Sequence, residues 1–243
     1  MSLAIADKTV LVTGANRGLG RALVDEALRR GAKRVYAASR EPTVVPDARV
    51  TPLRLDVTDQ AQIQQAPTGV ESLDVLINNA GVSVPDDLSD RSALERHLAV
   101  NLYGTLDVTR AFLPLLSRSR GAVVNVVSLS AVAAVPVLPA YSVSKAASLS
   151  LTQSLRALLA GRGVSVYAVM PGPIDTDMVR ALDIPKTPAD DVARASLDGV
   201  ERGEDEIFPD PLSQSLADGW RAGVSKELER QNAALVQARP LAA

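Results

Sequence analysis

At 243 residues the chain can bury a substantial core, as one large α/β unit or two small ones. Apolar residues make up 47% and charged residues 22%, a balance that excludes a disordered polar chain and fits a globular one. A formal net charge of −2 gives no basis for a nucleic-acid or anionic-membrane partner, and the absence of cysteine excludes disulfides and thiolate chemistry.

In chain order, MSLAIADKTV carries no apolar core of signal-peptide length, and no later stretch approaches a membrane span; a cytoplasmic protein is the expectation. KTVLVTG predicts a first strand. GLGRALVDEALRRGA predicts the first helix, with Leu19, Leu23, Ala27 and Leu28 at helical spacing and Gly31 closing it. KRVYAAS and ARVTPLRLDVT supply the second and third strands, and DQAQIQQA a short helix. LDVLINNAG is the fourth strand. SALERHLAVNLYGTLDVTRAFLPLL then reads as one long helical stretch that Pro114 bends or ends. GAVVNVVSLS, continuously apolar, fits a fifth strand covered on both faces. The helix that opens at YSVSK leads to the sixth strand, GVSVYAVMPG. Beyond Pro173, PIDTDMVRALDIPKTP reads as a mobile segment between prolines and ADDVARASLDGVERG as an amphipathic helix. DEIFPDP reads as a last short strand and SKELERQNAALVQ as a terminal helix.

Strands alternating with helices over this length predict a doubly wound parallel sheet with helices on both faces. No linker, repeat or low-complexity tract precedes residue 173. One domain over 1–243 is therefore expected, with 173–243 as a short substrate-loop and C-terminal region. The polar and glycine-rich segments TGANRG, ASR, DVT, NNAG, SLS and MPGP all fall at the carboxyl ends of strands, where such sheets place their ligand crevice. The lone histidine, His97, cannot build a zinc site by itself and reads as a helix-face residue.

TGANRGLG spaces Gly14, Gly18 and Gly20 as G-x-x-x-G-x-G rather than the G-x-G-x-x-G of the usual dinucleotide fingerprint. Glycines also cap helices. Here they sit between the first strand and the first helix, where backbone N–H groups can approach a diphosphate. The second strand ends Ser39-Arg40, without the carboxylate that takes a ribose 2′-hydroxyl, and Arg17 projects from the glycine turn. Two guanidiniums suit a 2′-phosphate, so NADP(H) is favoured over NAD; two solvated arginines are the competing reading. In YSVSK, Tyr141 and Lys145 share one helix face, which in isolation also describes an ordinary helix start.

With TGANRGLG, NNAG, a serine at the fifth strand, YSVSK and MPGPIDT in this order, the chain resembles the classical short-chain dehydrogenases/reductases, firmly over 8–178 and loosely beyond. The resemblance implies a Rossmann-type sheet of about seven strands and hydride transfer between NADP(H) and a carbonyl compound or secondary alcohol. It implies Tyr141 and Lys145 as the catalytic pair, Ser128 as the catalytic serine, and Asn101 of VNLYG as the structural and proton-relay asparagine. It assigns cofactor contacts to Gly14, Asn16, Arg17, Gly18, Leu19 and Gly20, to Asp56 and Val57 near the adenine, to Asn79, Ala80, Gly81 and Val100, and to Pro171, Gly172, Ile174 and Thr176 near the nicotinamide. Lys145 would also hold the nicotinamide ribose.

The chemistry asks for these residue types. A phenol titrates near pH ~10 unperturbed, and a neighbouring ammonium is expected to lower that value so that tyrosine can exchange a proton nearer neutrality. Ser128 would donate to the substrate oxygen, with Ser130 a further candidate beside it or a solvated strand-end serine. Val127 stands where many members carry another serine. The V-D-G-G ending of many tetrameric members is absent, so a homodimer through the helices of Asn101 and Tyr141 is the assembly to expect and a tetramer stays open. SAVAAVPVLPA, almost wholly apolar between Ser128 and Tyr141, favours a hydrophobic ketone or aldehyde, or is simply packing. Two other functions remain on the table. One is a non-catalytic NADP-sensing or scaffold protein on the same fold; the other is a nucleotide-sugar epimerase or dehydratase of the extended family.

Overall fold

The computed structural model describes residues 3–43, 45–180 and 183–238. β1 (Thr9–Thr13) runs into α1 (Gly18–Arg29), β2 (Arg34–Ser39) and β3 (Val50–Arg54), followed by α2 (Gln60–Gln65), whose first amides are capped by Asp59. β4 (Val75–Asn78) leads to α3 (Arg91–Leu98), a π-helical turn over Ala99–Gly104, and α4 (Thr105–Ser119). β5 (Ala122–Val126), α5 (Pro139–Ala160) and β6 (Ser165–Val169) complete the central part. The remainder is β7 (Ile174–Asp175), β8 (Thr187–Pro188), α6 (Ala189–Arg202), β9 (Glu206–Ile207), α7 (Pro211–Arg221) and α8 (Val224–Ala238).

Seven strands form one parallel sheet in the order β3-β2-β1-β4-β5-β6-β9. The alternation of β1 shows why it is covered on both sides. Val10 and Val12 pack with Leu23 of α1 and Leu197 of α6, whereas Leu11 packs on the opposite face with Phe112 of α4 and Leu155 of α5. Strand order reverses between β1 and β4, which opens a crevice at their carboxyl ends.

Three expectations are corrected. The long helical stretch is interrupted by the π turn rather than at Pro114, which lies inside α4 and is followed by five more helical residues. Gly104 explains the close fit there: a Cβ on it would lie 2.9 Å from the Val57 carbonyl oxygen. The segment after Pro173 is not simply loose, because β7 and β8 pair Ile174 with Thr187 and Asp175 with Pro188; residues 181 and 182 lie outside the described part. Helix α7 has no counterpart in the sequence reading. Its capping box, in which Asp210 and Ser213 bond each other's backbone N–H, starts it just after β9.

Candidate active site

The glycine turn and the end of β4 meet at the crevice. Gly14 and Gly18 have φ of +66° and +53°, in the left-handed region, and a Cβ on Gly20 would overlap the Gly14 carbonyl oxygen at 2.1 Å. No side chain caps the first N–H groups of α1, and its first turn holds no acidic residue. A cradle of close-packed backbone with uncapped amides fits the diphosphate of a dinucleotide. Leu19 is buried beneath it. The turn is braced from β4: Asn79 Nδ2 donates to Thr13 O at 2.9 Å, and Thr13 Oγ1 accepts from the N–H groups of Asn79 and Ala80, both at 3.0 Å. The Asn79 side chain therefore supports the turn instead of reaching outward. Thr13, an unnoticed part of the first strand, is its anchor.

Around the rim, Ser39 is buried at the end of β2, while Asn16 and Arg40 are exposed. The Asp56 carboxylate accepts from Thr58 N and Oγ1, and Val57 packs under Gly104. Arg17 is exposed but not free, since its Nη1 lies 3.0 Å from Asp177 Oδ2. The methyl group of Thr176 sits against Gly18, so the segment after β6 leans onto the glycine turn. Gly172 N donates to Asp210 Oδ2 at 2.8 Å, and the Pro171 carbonyl accepts from Leu129 N. Asp210 thereby ties the turn after β6 to the start of α7, a role that required the fold to be seen.

The predicted catalytic residues converge. Ser128 Oγ accepts from Ser130 N at 3.1 Å, which leaves the hydroxyl proton to be donated, and it hydrogen-bonds the Tyr141 side chain. Lys145, four residues on, has its Nζ 5.7 Å from the Tyr141 ring centroid and 2.8 Å from the Val126 carbonyl at the end of β5. Gly81 closes the set, with the position of its missing Cβ 3.9 Å from that Nζ. Ser130 is buried rather than solvated, and its Oγ has no partner among the described residues.

Burial decides the titration of the pair. It pushes the Tyr141 phenol above its ordinary value, the Ser128 hydrogen bond only partly opposing it, and it pulls the Lys145 ammonium down to about 8. The expectation of a phenol lowered by its lysine is therefore not met in the protein alone, because desolvation outweighs the one opposing interaction, the Ser128 hydrogen bond.

Asn101 occupies the π turn. Its Nδ2 donates to Val82 O (3.0 Å) and Ser144 Oγ (2.9 Å), and its Oδ1 accepts from Val82 N (2.9 Å). Its main-chain oxygen accepts from Ser148 Oγ at 2.7 Å. Val100 stands beside it, half-buried. Behind it, Asn78 Nδ2 donates to Asn125 Oδ1 and Asn125 Nδ2 to Thr152 Oγ1, which ties β4 and β5 to α5. Ser144, Ser148 and Thr152 escaped the sequence reading, although three small hydroxyls four residues apart on one helix face are a visible signal of a buried polar seam.

A family profile described as short chain dehydrogenase matches residues 8–186. The chain belongs to the short-chain dehydrogenase family. A short chain dehydrogenase from Burkholderia cenocepacia J2315, solved in complex with NADP, is 37% identical with a TM-score of 0.84, covering 99% of this chain and 100% of that one. Short chain dehydrogenase pigC of Monascus ruber is 35% identical over 74% of this chain, and estradiol 17-beta-dehydrogenase 2 of Mus musculus 33% identical over 75%. The matched parts span 66% and 52% of the length of those two relatives. This short-chain dehydrogenase has the seven-stranded parallel sheet of a Rossmann-type fold. Among its described residues no helix is long and apolar enough to cross a membrane, and no cluster of side chains suits a metal ion.

Proposed function

We propose that this short-chain dehydrogenase is an NADPH-dependent oxidoreductase that interconverts a hydrophobic ketone or aldehyde and its alcohol. The observation that carries this reading is the convergence of Ser128, Tyr141 and Lys145 beside Gly81, at the crevice that the glycine turn opens onto. NADPH, when bound, supplies the hydride. Gly14, Gly18, Gly20 and the uncapped amides of α1 would hold its diphosphate, with Ala80, Gly81 and Lys145 toward the nicotinamide ribose. Asp56 and Val57 would meet the adenine, and Ile174 and Thr176 the carboxamide end.

Ser128, with its acceptor side engaged by Ser130 N, donates to the substrate oxygen and holds it against the Tyr141 hydroxyl. Tyr141 gives its proton to that oxygen as the alcohol forms. The Lys145 ammonium stabilises the phenolate left behind, and Asn101 fixes the turn that supports both. Preference for NADPH rests on Arg40 and Arg17 and on the absence of a carboxylate at the end of β2; the Burkholderia cenocepacia relative was solved with NADP. The exposed apolar residues Val132, Val135 and Val137 beside the site support a hydrophobic substrate. The whole chain is read as one cofactor-binding domain that pairs as a homodimer through the helical stretch of Asn101, which runs from α3 through the π turn into α4, and through α5, which carries Tyr141.

The test is Tyr141→Phe assayed with a panel of ketones and aldehydes, using NADPH and NADH in parallel. Turnover is expected to fall at least ~10²-fold while NADPH affinity stays within about two-fold. Substantial residual reduction sinks the role of Tyr141, and faster turnover with NADH sinks that of the arginines.

A further inference from the structure

His97 is fully buried, and the chemistry just described does not use it. Its Nδ1 lies 2.7 Å from the Ala93 carbonyl, one turn back on α3, and its Nε2 lies 3.1 Å from Val84 N. A backbone N–H can only donate and a carbonyl can only accept, so the ring is the neutral tautomer with its proton on Nδ1. The ring edge also meets Tyr141, with centroids 6.3 Å apart and planes at 69°.

Val84 belongs to a strap, residues 82–89, that leaves Gly81 beside Lys145 and ends at the start of α3. The strap is pinned at three alternate residues: Val82 by Asn101, Val84 by His97, and Asp86 through Oδ2, which accepts from Ala140 N at the first turn of α5. Ala140 directly precedes Tyr141. Leu88 in the same strap sits at φ +63° with its side chain exposed, a backbone state that a leucine holds only under constraint.

We infer that His97 is a positioning residue that fixes this strap beside Tyr141 by offering Val84 N–H its buried acceptor, and so shapes the mouth through which the carbonyl compound reaches the phenol. The inference rests on the reductase reading above. Substrate affinity depends on it more than cofactor affinity does, because the strap's holds reach Ala140 and, through His97, Tyr141, whereas the glycine turn is braced by Asn79 and Ala80 instead.

Three variants separate the acceptor from mere bulk. His97→Gln places an amide oxygen near the Nε2 position. His97→Asn reaches only as far as Nδ1, and His97→Phe keeps a ring against Tyr141 with no acceptor. In the full chain, amide exchange at Val84, NADPH affinity, and KM and kcat for an aryl ketone such as acetophenone are measured for each. The wild type and His97→Gln are expected to protect Val84 and share a KM. His97→Phe and His97→Asn are expected to lose roughly ten-fold in protection and gain roughly ten-fold in KM, with NADPH binding unchanged, as for a buried donor left unpaired. Should the Phe variant fail to fold, the Gln and Asn pair makes the same contrast. Retained protection or retained KM in His97→Asn overturns the inference, as does a Gln variant that behaves like Asn. A wild type that reduces no carbonyl compound overturns the reductase reading instead, and Val84 exchange still decides the hold.

Discussion

Lys145 and Tyr141 show how a pair set by spacing acquires its properties only from its surroundings. The i, i+4 spacing brings the two together, yet burial moves both titrations toward their neutral forms: the phenol up, the ammonium down to about 8. A pH dependence follows. If the ammonium stabilises the phenolate as Tyr141 releases its proton, kcat/KM for ketone reduction is level near neutrality and falls as pH rises through about 8. A profile of kcat/KM with NADPH saturating checks this, and a decline that begins only near pH ~10, where an unperturbed amine or phenol titrates, contradicts it. The stability sign is opposite. The unfolded lysine keeps its proton to 10.5 while the folded one gives it up near 8, so this group's contribution to stability rises with pH between those values.

Among the elements, α3, the π turn and α4 differ most from what periodicity suggests. Hydrophobic spacing describes a continuous helix, but the extra residue per turn at Ala99–Gly104 turns Asn101 inward to bond Val82 and Ser144. Gly104 permits it by touching Val57 without a side chain. Gly104→Ala is expected to cost about 1–3 kcal/mol through overpacking against the Val57 carbonyl. Thermal unfolding should show a fall of about 2–4 °C per kcal/mol for a chain of this size, and a variant that melts like the wild type removes the constraint. The seven strands of the main sheet, by contrast, were legible in existence and order, because a buried parallel strand is a short apolar run, as in KTVLVTG; their carboxyl ends were overrun by up to four residues, as in GAVVNVVSLS, where β5 stops at Val126.

Across the whole molecule, the C-terminal part is held by charge buried at the sheet's edge. Lys226 of α8 lies 2.9 Å from Glu206 of β9 and within 3.1 Å of both Asp205 and Glu229; Arg156 of α5 pairs with Glu206 at 2.8 Å and also meets Glu229. Lys226 and Glu206 are each only 4% exposed. Removing one partner of a buried pair strands the other charge. Lys226→Met is therefore expected to lose up to about 3–5 kcal/mol, lessened because Arg156 still faces Glu206. Urea unfolding measures it, and an unchanged midpoint means that the network contributes no net stability.

The sequence by itself determined the alternating architecture, the crevice at the strand ends, the glycine turn and the Ser128, Tyr141 and Lys145 set, because each is written in local spacing or in motifs of fixed order. Tertiary structure alone decided the contacts between residues far apart in the chain: Asp177 on Arg17, Asp210 on Gly172, His97 on Val84 and Tyr141, and Lys226 on Glu206. It also decided the direction in which Tyr141 and Lys145 titrate. Spacing says which side chains share a face, but desolvation depends on everything packed around them, and only the folded chain brings that together.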